Sequence, residues 1–214
     1  MESPFRGAAQ EQAMSDLRVI ETMRWDGTRL LRLDRHLARL QRTCAELGFG
    51  FDLSEVLAAL NPVAGGLKRL RLSIGHDGSP EVTSAAIAPN PALWRVAISD
   101  QRLDPADKWL RLKTTKRALY DGSRANLPAG VDEIIFCNTR GELCEGTISN
   151  LFVDFGGGLL TPALSCGLLP GILREEMLEN GECREAVLIQ SDLGFAKRMF
   201  AGNSLRGLIP LQLA

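Results

Sequence analysis

The sequence predicts an α+β chain of two small domains, and three observations predict it. Segments that alternate apolar and polar residues and run into Asp-Gly or Gly-Gly turns recur along the chain, as strands joined by short connections do. Between them stand a few stretches with helical spacing, the clearest at 34–47 and 170–180. Pro89-Asn90-Pro91 interrupts both patterns and divides the chain into a small domain, 1–88, a linker, 89–92, and a larger domain, 93–214.

Each element follows from its residues. The tract 1–15 is polar and rich in Ala, Gln and Glu, a loose start. Residues 17–25 read as a strand, Asp26-Gly27 as a hairpin turn, and 28–33 as the returning strand. Asp34 is placed to cap a helix carrying Leu37, Leu40, Cys44 and Leu47 on one face and ending at Gly48. Asp52 and Glu55 have capping-box spacing for a short helix to Leu60. Residues 61–66 are a loop, 67–74 alternate apolar with basic residues, and Asp77-Gly78 turns the chain into 80–88. In the larger domain 94–99 is a strand, 102–108 a loop, and 109–115 a strand-like piece with Lys113 near its end. A helix at 118–126, a strand at 133–138 and a strand pair beginning at 143–153 follow, closed by Gly156-Gly157-Gly158 and a return at 159–162. Pro170 and Gly181 bracket the next helix, the usual asymmetry of helix ends. A strand at 186–190, a short helix capped by Ser191, and strands near 199–200 and 208–211 complete the chain.

Composition narrows the function. The 214 residues are 45% hydrophobic, enough for a substantial core. A net charge of −1, with acids and bases interspersed, points away from nucleic acid. No apolar run reaches the roughly 20 residues of a membrane span, and the start lacks the apolar core of a signal peptide. Five cysteines without a C-x-x-C pair, and two histidines, suit a reduced cytoplasmic protein with no metal site.

The chemistry concentrates in two places. Lys113-Thr114-Thr115-Lys116-Arg117 is followed about thirty residues on by Glu145-Gly146-Thr147-Ile148-Ser149-Asn150-Leu151-Phe152. A lysine supplies an amine for a Schiff base with an aldehyde, and a carboxylate can hold a pyridine nitrogen protonated. Either Lys113 or Lys116 offers that amine. Leu169-Pro170-Gly171-Ile172-Leu173 opens a helix whose free N–H groups suit a phosphate.

Lys-Thr-Thr-x-Arg, Glu-Gly-x-x-x-Asn-Leu-Phe and Leu-Pro-Gly-Ile-x-Arg, in that order, resemble the fold-type IV pyridoxal-phosphate enzymes. This class holds the branched-chain and D-amino acid aminotransferases and aminodeoxychorismate lyase, and the resemblance runs from about residue 17 to the C-terminus. It implies two small α/β domains with the active site at their interface. It selects Lys113 as the Schiff-base lysine, because Arg117 stands at the matching fourth position after it. Glu145 would pair with the pyridine nitrogen. Arg32, four residues before His36, would grip the phosphate with the N–H groups of Gly171, Ile172 and Leu173 and with Asn203 or Ser204. His36 itself is expected to be structural.

Within the class, Asn203-Ser204-Leu205-Arg206-Gly207 and the strand bearing Thr22 look like the lyase side. Thr22 falls where the lyase carries an active-site Thr, a hydroxyl that can assist proton transfer. The resemblance thus implies a lyase that converts 4-amino-4-deoxychorismate to p-aminobenzoate and pyruvate, a step of folate biosynthesis. A homodimer, with an aminodeoxychorismate synthase as pathway partner, is the expected assembly. Two features depart from the pattern. The first domain starts late, as if trimmed, and Lys116 stands where the lyase has Asn. The alternatives are a class IV aminotransferase for branched-chain or D-amino acids, whose substrate carboxylate Arg69, Arg71 or Arg206 could hold, and a degenerate member that does no catalysis.

Overall fold

The computed structural model describes residues 16–60 and 65–214. The expected loose start at 1–15, and most of the loop expected at 61–66, lie outside the described residues. The chain forms two compact units. One comprises the chain up to Ile87 together with Leu112–Lys116; the other comprises Ala88–Arg111 and Arg117–Ala214.

The first unit is a three-stranded antiparallel sheet in the order β1 (Val19–Trp25), β2 (Lys68–Ile74), β3 (Pro80–Ala86). Helix α1 (Leu33–Leu47) packs on β1, and α2 (Leu53–Ala59) packs near β3. In β2 the buried Leu70, Leu72 and Ile74 alternate with Arg69, Arg71 and Ser73, the period-two pattern of a strand with one covered face. Register sorts β1 in the same way: Val19, Glu21 and Met23 lie opposite Ile74, Leu72 and Leu70, whereas Ile20, Thr22 and Arg24 lie opposite Ser73, Arg71 and Arg69. Opposed residues share a face, so Glu21 sits on the apolar side of its sheet.

The expected returning strand at 28–33 shrinks to a single bridge, Trp25 to Leu30. Asp26 Oδ1 accepts from the Thr28 and Arg29 amides and closes a tight turn. Arg32 then takes the left-handed conformation, φ 57°, and α1 begins at the next residue. It is the one non-glycine residue with positive φ among those described. Asp34 therefore lies inside the first turn rather than at the cap, and no side chain caps this helix. The face α1 buries is His36, Arg39, Leu40, Thr43 and Cys44, not the expected Leu37 and Leu47. A polar partner on the sheet draws the helix round. Asp52 caps α2 as expected, accepting from the Ser54 and Glu55 amides.

The second unit is an eight-stranded sheet. Its strands are β4 (Trp94–Leu103), β5 (Glu133–Asn138), β6 (Leu143–Gly146), β7 (Asn150–Asp154), β8 (Leu159–Pro162), β9 (Cys183–Ala186), β10 (Arg198–Asn203) and β11 (Gly207–Leu213). They run in the order β10-β11-β4-β5-β6-β7-β8-β9, and β10 also pairs with β7, which closes the sheet into a barrel. Trp94, Val96, Ile135, Leu143, Leu151, Val153 and Ile209 belong to one buried cluster of this unit. Helix α3 (Ala118–Ala125) lies against β5, and α4 (Ile172–Glu179) against β9 and β10.

Other expectations shift. Lys113 is not on a regular strand: a short 3-10 turn, Lys108–Arg111, precedes it, and only Thr114 bridges, to Val19. The strand expected at 186–190 lies at Cys183–Ala186, where it pairs with β8. The turn after it is closed by Asp192, which accepts from the Ile189 amide, so Ser191 is not its cap.

Candidate active site

In the first unit the Lys113 segment lies along the free edge of β1. The Ile20 amide donates to the Lys113 carbonyl at 2.9 Å, and the Thr115 amide to the Arg18 carbonyl at 2.9 Å. Val19 faces Thr114, so Lys113 lies opposite Ile20 and on the same side of the sheet as Thr22. Opposed and diagonal neighbours of this kind lie roughly 5 to 8 Å apart, within reach of a lysine. Register adds Arg24, Arg69 and Arg71 to that side, so the face bearing the amine and the hydroxyl is cationic.

The opposite face holds a buried ionic cluster. Arg39 donates through Nε to Glu21 Oε1 and through Nη2 to Oε2, both at 2.7 Å, and His36 Nδ1 lies 2.6 Å from Oε2. Glu21, His36 and Arg39 are all buried. Burial raises the Glu21 carboxyl's pKa, but the Arg39 charge and the hydrogen bonds from His36 and Arg39 outweigh it and bring it to about 2. His36 thus holds Glu21, the structural part expected of it. Arg32 stands at the entry to α1, in its left-handed conformation, a geometry that costs an arginine of order 1 kcal/mol and tends to persist at functional positions.

In the second unit the motif residues converge on the tip between β6 and β7. Glu145 and Asn150 are register partners there. Both reach Leu169: its amide donates to Glu145 Oε2 at 3.1 Å, and Asn150 Nδ2 donates to its carbonyl at 3.0 Å. This clamp sets the start of α4. A Cβ on Gly171 would lie 1.9 Å from Asn150 Oδ1, so any larger residue at that cap has to displace the Asn150 amide. No side chain caps α4, which leaves the amides of Ile172 and Leu173 facing the helix entrance.

Glu133 organises the tip from beneath. It accepts from the Thr147 amide at 2.9 Å, from the Thr147 hydroxyl, and from Ser149 Oγ at 2.8 Å. A Cβ on Gly146 would meet the Glu133 carboxylate at 2.9 Å and Ser149 Oγ at 2.6 Å. That accounts for the glycine after Glu145. Helix α3 is tied to the same tip, Arg117 Nη2 donating to the Thr147 carbonyl at 2.7 Å and Arg124 Nη1 to Thr147 Oγ1 at 3.2 Å.

The β10–β11 turn joins this cluster through Asn203. Its Oδ1 accepts from the Leu205 and Arg206 amides and its Nδ2 donates to the Ile148 carbonyl. Asn203 is therefore committed to the turn. Ser204 beside it is buried. Arg206 bonds to Asn90 Oδ1 and to the Ala88 carbonyl, which holds it against the Pro-Asn-Pro stretch.

The sequence reading passed over Tyr120 and Glu133. Tyr120 donates to Glu145 Oε1 at 2.7 Å. It is the chain's one tyrosine, three residues after Arg117 on a helix, a faint signal. Glu133 gave none, since the Thr147 and Ser149 groups it organises lie fourteen and sixteen residues away.

The donor chemistry of both units suits pyridoxal phosphate. A buried carboxylate that accepts from Tyr120 and from the Leu169 amide is a group of the kind that accepts from a ring N–H. A helix start that no side chain caps, opened by a glycine, suits a phosphate dianion. In the first unit, taken by itself, Lys113 offers a primary amine of the kind that forms a Schiff base.

Solved structures share the fold. A "Putative amino-acid aminotransferase" from Mesorhizobium loti superposes with a TM-score of 0.89 at 45% identity, over 93% of this chain and all of that one. The 4-amino-4-deoxychorismate lyase of Pseudomonas aeruginosa superposes with a TM-score of 0.74 at 25% identity, over 92% of this chain and 82% of that one. Among curated relatives, the aminodeoxychorismate lyase of Bacillus subtilis is 28% identical over 190 residues, 77% of this chain and 64% of its own length. Residues 18–213 match the family model for amino-transferase class IV, and the chain belongs to that family of pyridoxal-phosphate-dependent enzymes.

Proposed function

We propose that this enzyme is a lyase that converts 4-amino-4-deoxychorismate to p-aminobenzoate and pyruvate. The placement of Thr22 beside Lys113 on one cationic sheet face carries the reading. The reaction takes a proton from one ring carbon and expels the enolpyruvyl oxygen from another, and the two products together hold every atom of the substrate. It needs a base, a proton donor for the leaving group, and an anchor for a substrate with two carboxylates. Lys113, Thr22 and the Arg24–Arg69–Arg71 face supply these three.

The residues divide the work as follows. Pyridoxal phosphate, once bound, supplies an electron sink. Lys113 would hold the cofactor through its amine, and the same amine, when free, would remove the proton at ring carbon C4. Thr22 Oγ1 helps pass that proton to the leaving oxygen. Glu145 would accept the hydrogen bond from the pyridine N–H. Arg32, the Gly171, Ile172 and Leu173 amides and Ser204 are the groups that would hold the phosphate, Ser204 being nominated over Asn203 because the Asn203 side chain already serves its turn.

The second reading is an aminotransferase on the same machinery. The 45% identity to the Mesorhizobium loti protein favours it, and an arginine face suits an α-carboxylate equally well. Purified enzyme supplied with pyridoxal phosphate and enzymatically made aminodeoxychorismate separates the two. The lyase yields p-aminobenzoate and pyruvate in equal amounts. Absence of both, with conversion of the bound cofactor to its amine form by an amino acid, would establish the aminotransferase instead.

A further inference from the structure

Tyr120 has no part in the assignments above. It stands on α3 with its ring edge-on to Phe136, centroids 5.3 Å apart, and with the Arg117 guanidinium carbon 5.5 Å from its ring centre. Its hydroxyl donates to Glu145 Oε1 at 2.7 Å, while the Leu169 amide donates to Oε2 at 3.1 Å. Each carboxylate oxygen thus has its own protein donor, one from a helix and one from the loop before α4. The carboxylate plane cannot rotate without breaking one of them. Burial, and then the Glu145 anion, hold the Tyr120 phenol well above its ordinary pKa, so the hydroxyl keeps its proton and remains a donor.

We propose that Tyr120 is a positioning residue which, through its hydroxyl, fixes the Glu145 carboxylate and keeps it an acceptor, so that the proton shared with the cofactor rests on the ring nitrogen. The proposal rests on the assignment of Glu145 as partner of that nitrogen. The physical reason is competition. A carboxylate that already accepts from a phenol binds a further proton less tightly than one that does not. The proton between Glu145 and a pyridine is then left on the pyridine, where it makes the ring a stronger sink. The edge-on packing on Phe136 belongs to the ring and survives in phenylalanine; the hydrogen bond belongs to the hydroxyl alone.

The test uses holoenzyme reconstituted with pyridoxal phosphate labelled with nitrogen-15 in the ring, for wild type, Tyr120→Phe and Glu145→Gln. At fixed pH the wild-type signal is that of a protonated pyridine. In Tyr120→Phe it moves part of the way toward unprotonated pyridine, and in Glu145→Gln it moves the whole way. The dissociation constant of pyridoxal phosphate rises about tenfold in Tyr120→Phe, as expected for one lost bond to a charged group. Thermal unfolding of the cofactor-free protein stays within a few degrees of wild type.

An unmoved nitrogen signal in a folded Tyr120→Phe holoenzyme overturns the proposal and leaves the cofactor assignment standing. A Tyr120→Phe protein that does not fold also overturns it, because the role would then be structural. A wild-type protein that takes up no pyridoxal phosphate, or whose signal is unprotonated from the start, brings down the Glu145 assignment and the proposal with it.

Discussion

Gly171→Ala offers a direct test of the clamp that sets the phosphate-binding end of α4. The backbone there, φ −71° and ψ 141°, is open to any residue, so strain in φ plays no part. What the new methyl meets is Asn150 Oδ1, 1.9 Å from the ideal Cβ position. Asn150 is 5% exposed and must swing aside, which breaks its 3.0 Å bond to the Leu169 carbonyl. Losing that buried bond costs about 1–3 kcal/mol, and crowding adds about 1–3 kcal/mol. A loss of roughly 2–6 kcal/mol follows for the single variant. Asn150→Ala alone loses the bond and costs about 1–3 kcal/mol. In the double variant the obstacle is gone, so the alanine at 171 costs only its weaker capping, about 1 kcal/mol. Urea unfolding of the four proteins, followed by tryptophan fluorescence, gives the cycle. The two costs should fall short of additive by at least about 1 kcal/mol. Additivity within about 0.5 kcal/mol would refute the claim that Gly171 is required by Asn150.

Three further outcomes are expected. Lys113→Ala abolishes the visible absorption of bound pyridoxal phosphate and all turnover, whereas Lys116→Ala keeps the absorption; the reverse pattern in a spectrophotometer would show that Lys116 is the linking residue. Glu21→Gln lowers stability near neutral pH by about 3–5 kcal/mol, because it leaves Arg39 and His36 buried without their anion. The Glu21 carboxyl is depressed from 4.5 to about 2 in the folded protein, so its contribution is complete above about pH 4.5 and fades as pH falls toward about 2. Denaturation midpoints of wild type and variant should accordingly converge over that range, and parallel curves would count against it. Light scattering at micromolar concentration should report a homodimer, and a fully active monomer would contradict that expectation.

Local chemistry made much of the fold readable. Asp52 caps α2 because its carboxylate reaches amides two and three residues on. The apolar–basic alternation of residues 68–74 does place three aliphatic side chains on a covered face. Gly48 and Gly181, both with positive φ, stand where helices end. The places where the reading slipped are also physical. Residues 28–33 look like a strand by composition, but the Asp26 turn and the left-handed Arg32 divert the chain into α1 before a second rung can form. The polar face of α1 is buried because Glu21 waits on the sheet, and no helical periodicity reveals that.

The sequence by itself determined most of the turns, the glycine-marked helix C-termini, the α+β class and, through three short motifs, the enzyme family. These depend on residues a few positions apart. Only the tertiary structure decided that Lys113 lies on the edge of β1 opposite Ile20, that Thr22 and three arginines share its face, and that Glu145, Asn150, Leu169 and Tyr120 meet at one point. Apart from the Glu145–Asn150 pair, five positions apart, the bonds that make these juxtapositions join residues from 19 to 93 positions apart. They follow from sheet register and barrel closure, in which a shift of one residue turns every side chain to the opposite face.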